Sequence, residues 1–534
     1  MAPKHPWWRH ATIYQIYVRS WRDSNGDGVG DLVGLIDGLD YLQWLGVDAI
    51  WLSPTMPSPN TDYGYDVSDY FDVHPELGAL SDMDRLIEEA GARSIAVMLD
   101  LVPNHTSDAH PWFVDALSGV DSRHRDYYVW APPKPDGSPP NNWLDATGAP
   151  AWSLDEASGE YYLHNFLPTQ PDLNWWDKGV HAQFERVLQF WFDRGVAGFR
   201  IDVAHGLYKD ALLRDDPSPG PDDHPVVRRR PLRPEYSSRR PEVHDLYVHW
   251  RRLADAYQPE RVLLGETWEF DYGRFAAYYG TAEQPELHLG FNFPFALCNL
   301  AARELAEVVE GTLQALRPGA VPVWTASNHD IGRFPTRWCR DDDRATRAAL
   351  SVLATLPGSL VLYYGDELGM ADVDVPPAER RDLMSIARPE EPGRDRCRTP
   401  LPWSQEPNAG FCPPGAKPWL PLGPYRDRNV QSAQADPGSV LNFWRRLGHL
   451  RQERRLGDAA SLTRLALDDR AWAYRVGSTA TVANISDQPC TVVVPGLAGA
   501  RVLVSTHART EESLAGDEVA LQPWQALVVA LEQA

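Results

Sequence analysis

Eight short apolar runs, each the length of a buried strand and each followed by a stretch of helical period, set the strongest limit on this chain. They fall at residues 13–18, 49–52, 95–99, 196–201, 261–264, 289–293, 321–325 and 360–364. Strands that read as continuous apolar runs and alternate with helices belong to a parallel sheet covered on both faces. Eight in succession predict a (β/α)8 TIM barrel. The helix over 81–92 (SDMDRLIEEAGA) shows the intervening pattern: a Ser/Asp cap, then Met83, Leu86, Ile87 and Ala90 at helical spacing.

Two intervals are too long for this rhythm. Asp100 and Asp202 end the third and fourth strands about 100 positions apart, where a barrel repeat needs about 30. Residues 104–170 are therefore read as an inserted subdomain after the third strand. Residues 371–430, rich in Pro, Arg and Gly, are read as a loop-rich subdomain over the barrel mouth. From about 455 the runs alternate (WAYRV, ATVANIS, CTVVV, RVLVS, QALVVAL), as an antiparallel sheet requires. The α/β chain thus divides into a barrel of 1–103 and 171–450, the insertion at 104–170 and a C-terminal β-sandwich-like domain of 451–534. The charged, Pro-rich stretch 209–243 reads as a mobile loop, and its Arg228–Arg230 run as solvated.

The 51 basic and 74 acidic residues leave a net charge of −23. So acidic a surface repels nucleic acid and anionic membranes and suits a neutral substrate. Five scattered Cys, with no CxxC or Cys/His spacing, predict free thiols in a reducing cytoplasm. Neither a leader-like apolar core near the start nor a membrane-length apolar run is present. A monomer or homodimer without organic cofactor is expected.

Barrel enzymes carry their chemistry where strands end. Here the third strand ends in Asp100, Asn104 and His105, and the fourth in Arg200, Asp202 and His205. The fifth ends in Glu266, and the seventh in His329 and Asp330. Several carboxylates with His and Arg, and no thiolate or phosphate loop, fit glycoside hydrolysis, which needs one carboxyl as acid and another as nucleophile or base. A salt-bridge network closing the barrel top is the competing reading. After the first strand, DSNGDGVGD (23–31) spaces Asp23, Asn25, Asp27 and Asp31 among glycines. Such oxygens suit a hard cation, or an Asx-rich turn that needs none.

The blocks DLVPNHTS (100–107), QPDLNW (170–175), GFRIDVAH (198–205), GETW (265–268) and SNHD (327–330) resemble the α-amylase-type glycoside hydrolases, in the α-glucosidase and oligo-1,6-glucosidase branch. DYGYDVSDY (62–70), GSLVLYYGDELGM (358–370) and GRDRCRTPLPW (393–403) match it too. The resemblance covers residues 7–450. It implies Asp202 as nucleophile, Glu266 as general acid and then base, and Asp330 as the third acid. Arg200 would hold Asp202 ionised, with Asp100 as its structural partner. His105 and His329 would donate to hydroxyls of the bound sugar, and Tyr65 would stack beneath it. Asp62 and Arg398 would close the pocket behind its terminal hydroxyl, and Phe166 and Gln170 would flank the scissile bond.

The resemblance implies an exo-acting, retaining α-glucosidase for maltose and maltooligosaccharides, with transglucosylation. Val203, after the nucleophile, accompanies α-1,6 preference in that branch, so oligo-1,6-glucosidase activity is an alternative. A transglucosylase or isomerase such as trehalose synthase is another. In the same family the loop 23–31 holds structural calcium through Asp23, Asn25, Asp27, the Val29 carbonyl and Asp31.

Overall fold

A computed structural model describes residues 6–387, 393–458, 461–507 and 513–531. The eight expected strands are Thr12–Ile16, Ala49–Leu52, Ala96–Leu101, Gly198–Ile201, Val262–Gly265, Leu289–Gly290, Val323–Thr325 and Ser359–Tyr363. They form one sheet in the order seven, eight, one, two, three, four, five, six. Recorded neighbours within it run parallel. This is the (β/α)8 barrel architecture. The strands are almost wholly buried, which is why their sequences do not alternate.

Helix Lys178–Asp193 shows how the outer layer is made. The Asp177 carboxylate accepts the backbone N–H groups of Gly179 and Val180. Val180, Phe184, Val187, Leu188 and Trp191 then form the buried stripe.

The chain divides into two compact units. One comprises Met1–Trp51, Glu88–Ala96 and Asn292–Ala534; the other comprises Leu52–Ile87 and Val97–Phe291. In the second unit the long interval after the third strand holds a three-stranded sheet of Trp130–Ala131, Glu160–Leu163 and Trp152–Asp155. Trp143, Trp152 and Leu163 form its core.

The segment 209–243 departs from expectation. It is tied down rather than free. Leu213 and Tyr236 pack on that same core. The Asp216 carboxylate accepts the backbone N–H groups of Glu235, Tyr236 and Ser237, and Asn142 and Trp143 bond to the stretch 214–216. One buried acceptor thus folds a polar, Pro-rich sequence back on itself. Arg228, Arg229 and Arg230 are exposed, as a solvated run should be.

In the first unit, the C-terminal region forms a five-stranded antiparallel sheet and a two-stranded one, Cys490–Val493 with Glu518–Leu521. Val482 and Leu527 of the larger sheet share one apolar cluster with Val492 and Leu521 of the smaller.

Candidate functional site

Strand register assembles the heart of the second unit. Asp100 pairs with Arg200, and Arg200 with Leu264, across neighbouring parallel strands. Side chains two residues on face the same way, so Asp202 and Glu266 share the next layer. The ladder continues to that level: Asp202 N–H donates to the Leu101 carbonyl and Glu266 N–H to that of Ile201. Adjacent strands lie about 4.8 Å apart. The two carboxyls therefore stand side by side at the strand ends.

One guanidinium joins the two layers. Arg200 Nη1 lies 2.8 Å from Asp100 Oδ1 and 2.8 Å from Asp202 Oδ1, and Nη2 lies 2.9 Å from Glu266 Oε2. Arg200 and Asp100 are almost wholly buried. Three carboxyls about one cation carry excess negative charge, and burial adds to its cost. Asp100 bears the result. Burial raises it to about 7, against the pull of Arg200 and of the Tyr65 hydroxyl, which donates to its Oδ2 at 3.0 Å.

The residue after Asp202 is strained. Val203 adopts φ 46°, a left-handed conformation that β-branched side chains avoid. The twist aims its N–H at Glu266 Oε2, 2.8 Å away. Trp268 donates its indole N–H to Glu266 Oε1 at 3.0 Å.

The same unit gathers the expected sugar-binding residues of its segments. Gln170 Nε2 lies 3.4 Å from Asp62 Oδ2 and 3.2 Å from His105 Nε2. The His105 ring stands 5.1 Å from that of Phe166. His105 Nε2 also contacts the Tyr65 carbonyl at 2.9 Å, and the Asn104 amide meets its Nδ1 at 3.1 Å. Behind them Lys209, fully buried, bonds to Asp172 Oδ2 at 2.8 Å and to Asn104 Oδ1 at 2.7 Å. Lys209 opens the supposed mobile loop, and nothing in its sequence position signals burial.

In the first unit, Asp330 is held from three sides. Its Oδ2 lies 3.2 Å from His329 Nε2; its Oδ1 lies 3.0 Å from Arg398 Nη2 and 3.2 Å from Arg394 Nη1. Arg398 Nε also donates to the His329 carbonyl, and Gln15 Nε2 meets His329 Nδ1 at 2.7 Å. Arg398 is thus Asp330's partner. Sequence reasoning missed Arg394, although it lies in the same GRDRCRTPLPW block.

The loop 23–31 belongs to the first unit as well. Asp23 accepts the N–H groups of Asn25, Gly26 and Gly28, Asn25 Oδ1 accepts that of Asp27, and Asp27 Oδ1 that of Val29. Asp31 accepts from Ser24 and caps the following helix through Gly34 N–H. Gly28 must be glycine: its φ is 90°, and a Cβ would lie 1.9 Å from the Lys417 carbonyl oxygen. These Asx turns bond the loop's side-chain oxygens to its own backbone N–H groups, and Asp23, Asp27 and Asp31 do not group at metal-ligand spacing, although oxygen donors of this kind are those a hard cation takes.

Among the described residues, Asp255, Glu260 and His288 alone group at metal-ligand spacing. There His288 Nδ1 accepts the Leu263 N–H, which puts the ring proton on Nε2, facing both carboxylates at 3.3 Å. Arg251 also pairs with Asp255. The cluster is a hydrogen-bonded ion-pair set with no lone pair of His288 turned inward.

Known proteins with this arrangement are numerous. The family profile described as "Alpha amylase, catalytic domain" matches residues 15–458. The chain is 40% identical over 458 residues to a protein named probable alpha-glucosidase of Rhizobium meliloti, covering 84% of this chain and 82% of that one. It is 34% identical to the oligo-1,6-glucosidase of Parageobacillus thermoglucosidasius, with 98% of each chain covered. The crystal structure of an α-glucosyl transfer enzyme superposes with a TM-score of 0.91 at 36% identity, covering 99% of this chain and all of the other.

Proposed function

Because the chain belongs to the α-amylase catalytic-domain family of glycoside hydrolases, we propose that it is a retaining, exo-acting α-glucosidase of short α-glucosides such as maltose. The observation that carries this reading is the Arg200 clamp, which holds Asp202 and Glu266 on neighbouring strand ends. Retaining glycosidases need their two carboxyls about 5–5.5 Å apart, close to the spacing of adjacent strands.

Asp202 attacks the anomeric carbon while Glu266 gives its proton to the glycosidic oxygen, and the aglycone leaves as an alcohol. Water then attacks the glucosyl ester, Glu266 takes its proton, and α-glucose departs. Arg200 keeps Asp202 ionised and aimed. Asp330, with His329, Arg394 and Arg398, supplies charged and hydrogen-bonding contacts to sugar hydroxyls. Glucosyl transfer differs only in the second acceptor, a sugar hydroxyl in place of water. Cleavage of α-1,6 bonds differs only in the leaving group, and Val203 favours that alternative.

Incubation with maltose, isomaltose, sucrose and trehalose separately, with products resolved by NMR, tests the reading. α-Glucose appearing first from maltose supports it. β-Glucose first overturns retention. Faster release from isomaltose moves the assignment to oligo-1,6-glucosidase, and isomerised or longer products move it to a transferase.

For the loop 23–31 the proposal is one calcium ion held by Asp23, Asn25, Asp27, the Val29 carbonyl and Asp31, with a structural role only. The loop's all-oxygen donor types, spaced among glycines, support it. A chelator should lower the melting temperature without changing kcat of the folded enzyme. The unpaired state of all five thiols supports a reducing compartment such as the cytoplasm. Among the described residues no helix is long and apolar enough to cross a membrane. A monomer or homodimer is proposed.

A further inference from the structure

Glu266 is gripped unevenly. Its Oε2 takes two donors, Arg200 Nη2 and the Val203 N–H. Its Oε1 takes the indole N–H of Trp268 at 3.0 Å. Trp268 lies two residues past Glu266, where the chain has left its strand. For the ring to reach back, its backbone must be held.

Arg239, near the end of the 209–243 segment, holds it. Nη2 donates to the Trp268 carbonyl at 2.7 Å, Nε pairs with Glu269 at 3.1 Å, and Nη1 donates to the Pro234 carbonyl at 3.0 Å. The backbone of Arg239 takes a left-handed φ of 58° and donates its N–H to the His205 carbonyl. Both partners of the Arg239–Glu269 pair are nearly buried, their side chains 9% and 5% exposed. Three directed bonds from one rigid guanidinium fix a backbone far better than a lysine does.

We propose that Trp268 is a positioning residue for the acid/base Glu266, and that Arg239 of the 209–243 segment is the anchor that keeps Trp268 in place. The inference rests on the assignment of Glu266 as acid/base. Donors saturate Oε2, so the proton to be delivered sits on Oε1, and the indole fixes that oxygen's direction.

Other titratable and charged groups lie about Glu266. Arg200, Asp202 and Asp100 lie on its strand side, with the Tyr65 hydroxyl beyond them. His205 Nδ1 lies 3.3 Å from the Glu266 carbonyl oxygen and is neutral, because burial and then the Arg239 charge push it down to about 3. Arg239 and Glu269 offset one another. Removing the indole N–H alone therefore changes a single donor.

The test uses three variants of the full chain, on maltose and on p-nitrophenyl α-glucoside, whose leaving group needs little protonation. Glu266→Gln checks the premise: its loss of kcat/KM on maltose should exceed that on the aryl glucoside by at least about 100-fold. Trp268→Phe should lower kcat/KM on maltose at least about tenfold and spare that on the aryl glucoside. Arg239→Lys should do the same to a smaller degree. Thermal melts verify folding, and if Trp268→Phe does not fold, Arg239→Lys carries the same readout. Unchanged kcat/KM on maltose in the folded variants, beside the expected Glu266→Gln pattern, overturns the relay and leaves the acid/base role standing. Equal losses of kcat/KM on both substrates for Glu266→Gln remove the acid/base role, and the relay with it.

Discussion

Asp100 shows burial outweighing even two good partners. Its carboxyl rises from 3.8 to about 7 because desolvation exceeds the pull of Arg200 and Tyr65. A raised carboxyl favours the folded state fully below its unfolded value, near pH 4, and that contribution is lost as pH climbs through about 7. Denaturant midpoints of the wild type should therefore fall more between pH 5 and pH 8 than those of Asp100→Asn. Equal slopes would mean that Asp100 is ionised throughout. Lys209 illustrates the opposite case, a buried cation that is well paired. Lys209→Met leaves Asp172 buried without its cation, and equilibrium unfolding should register a loss of about 3–5 kcal/mol. A loss below about 1 kcal/mol would mean that water reaches Asp172. The carboxyls at strand ends were legible in the sequence because charge there is hard to explain by packing. Lys209, Trp268 and Arg239 were not. A single Lys or Arg in a polar stretch reads as solvated, and only the folded loop turns these two inward.

At the level of elements, all eight strands were legible, since each is a buried apolar run between polar ends. Their limits were less so. The sixth strand narrows to Leu289–Gly290 because Phe293 begins a helix capped by Asn292. That cap is a local hydrogen bond, which apolar length does not encode. The segment 209–243 fails more instructively. Its Pro and charge content reads as disorder, yet Asp216 collects three backbone N–H groups from residues about twenty positions away. No periodic signal marks a carboxylate that organises a loop. Asp216→Ala leaves those donors without their acceptor, at a cost of about 1–3 kcal/mol. Limited proteolysis should then cut within 217–235, where the parent protein resists. Equal resistance of both would show that packing of Leu213 and Tyr236 suffices.

For the molecule as a whole, the net charge of −23 is a statement about partners rather than fold. A neutral sugar offers no net charge to steer. kcat/KM for maltose should change less than about twofold between 20 mM and 500 mM salt, since screening acts on exposed charges. A steep salt dependence would reveal an ionic step in binding. The Arg200 cluster lies buried, largely beyond the reach of mobile ions.

One guanidinium shared among three carboxyls also behaves as a charge reservoir. In the proposed mechanism Asp202 carries the glucosyl group as an ester and is no longer an anion, so Arg200 is shared with one anion fewer. Glu266, bonded to the same cation, then has one anionic neighbour fewer on it in the step where the proposal has it take water's proton. The one guanidinium thus serves both halves of the proposed reaction.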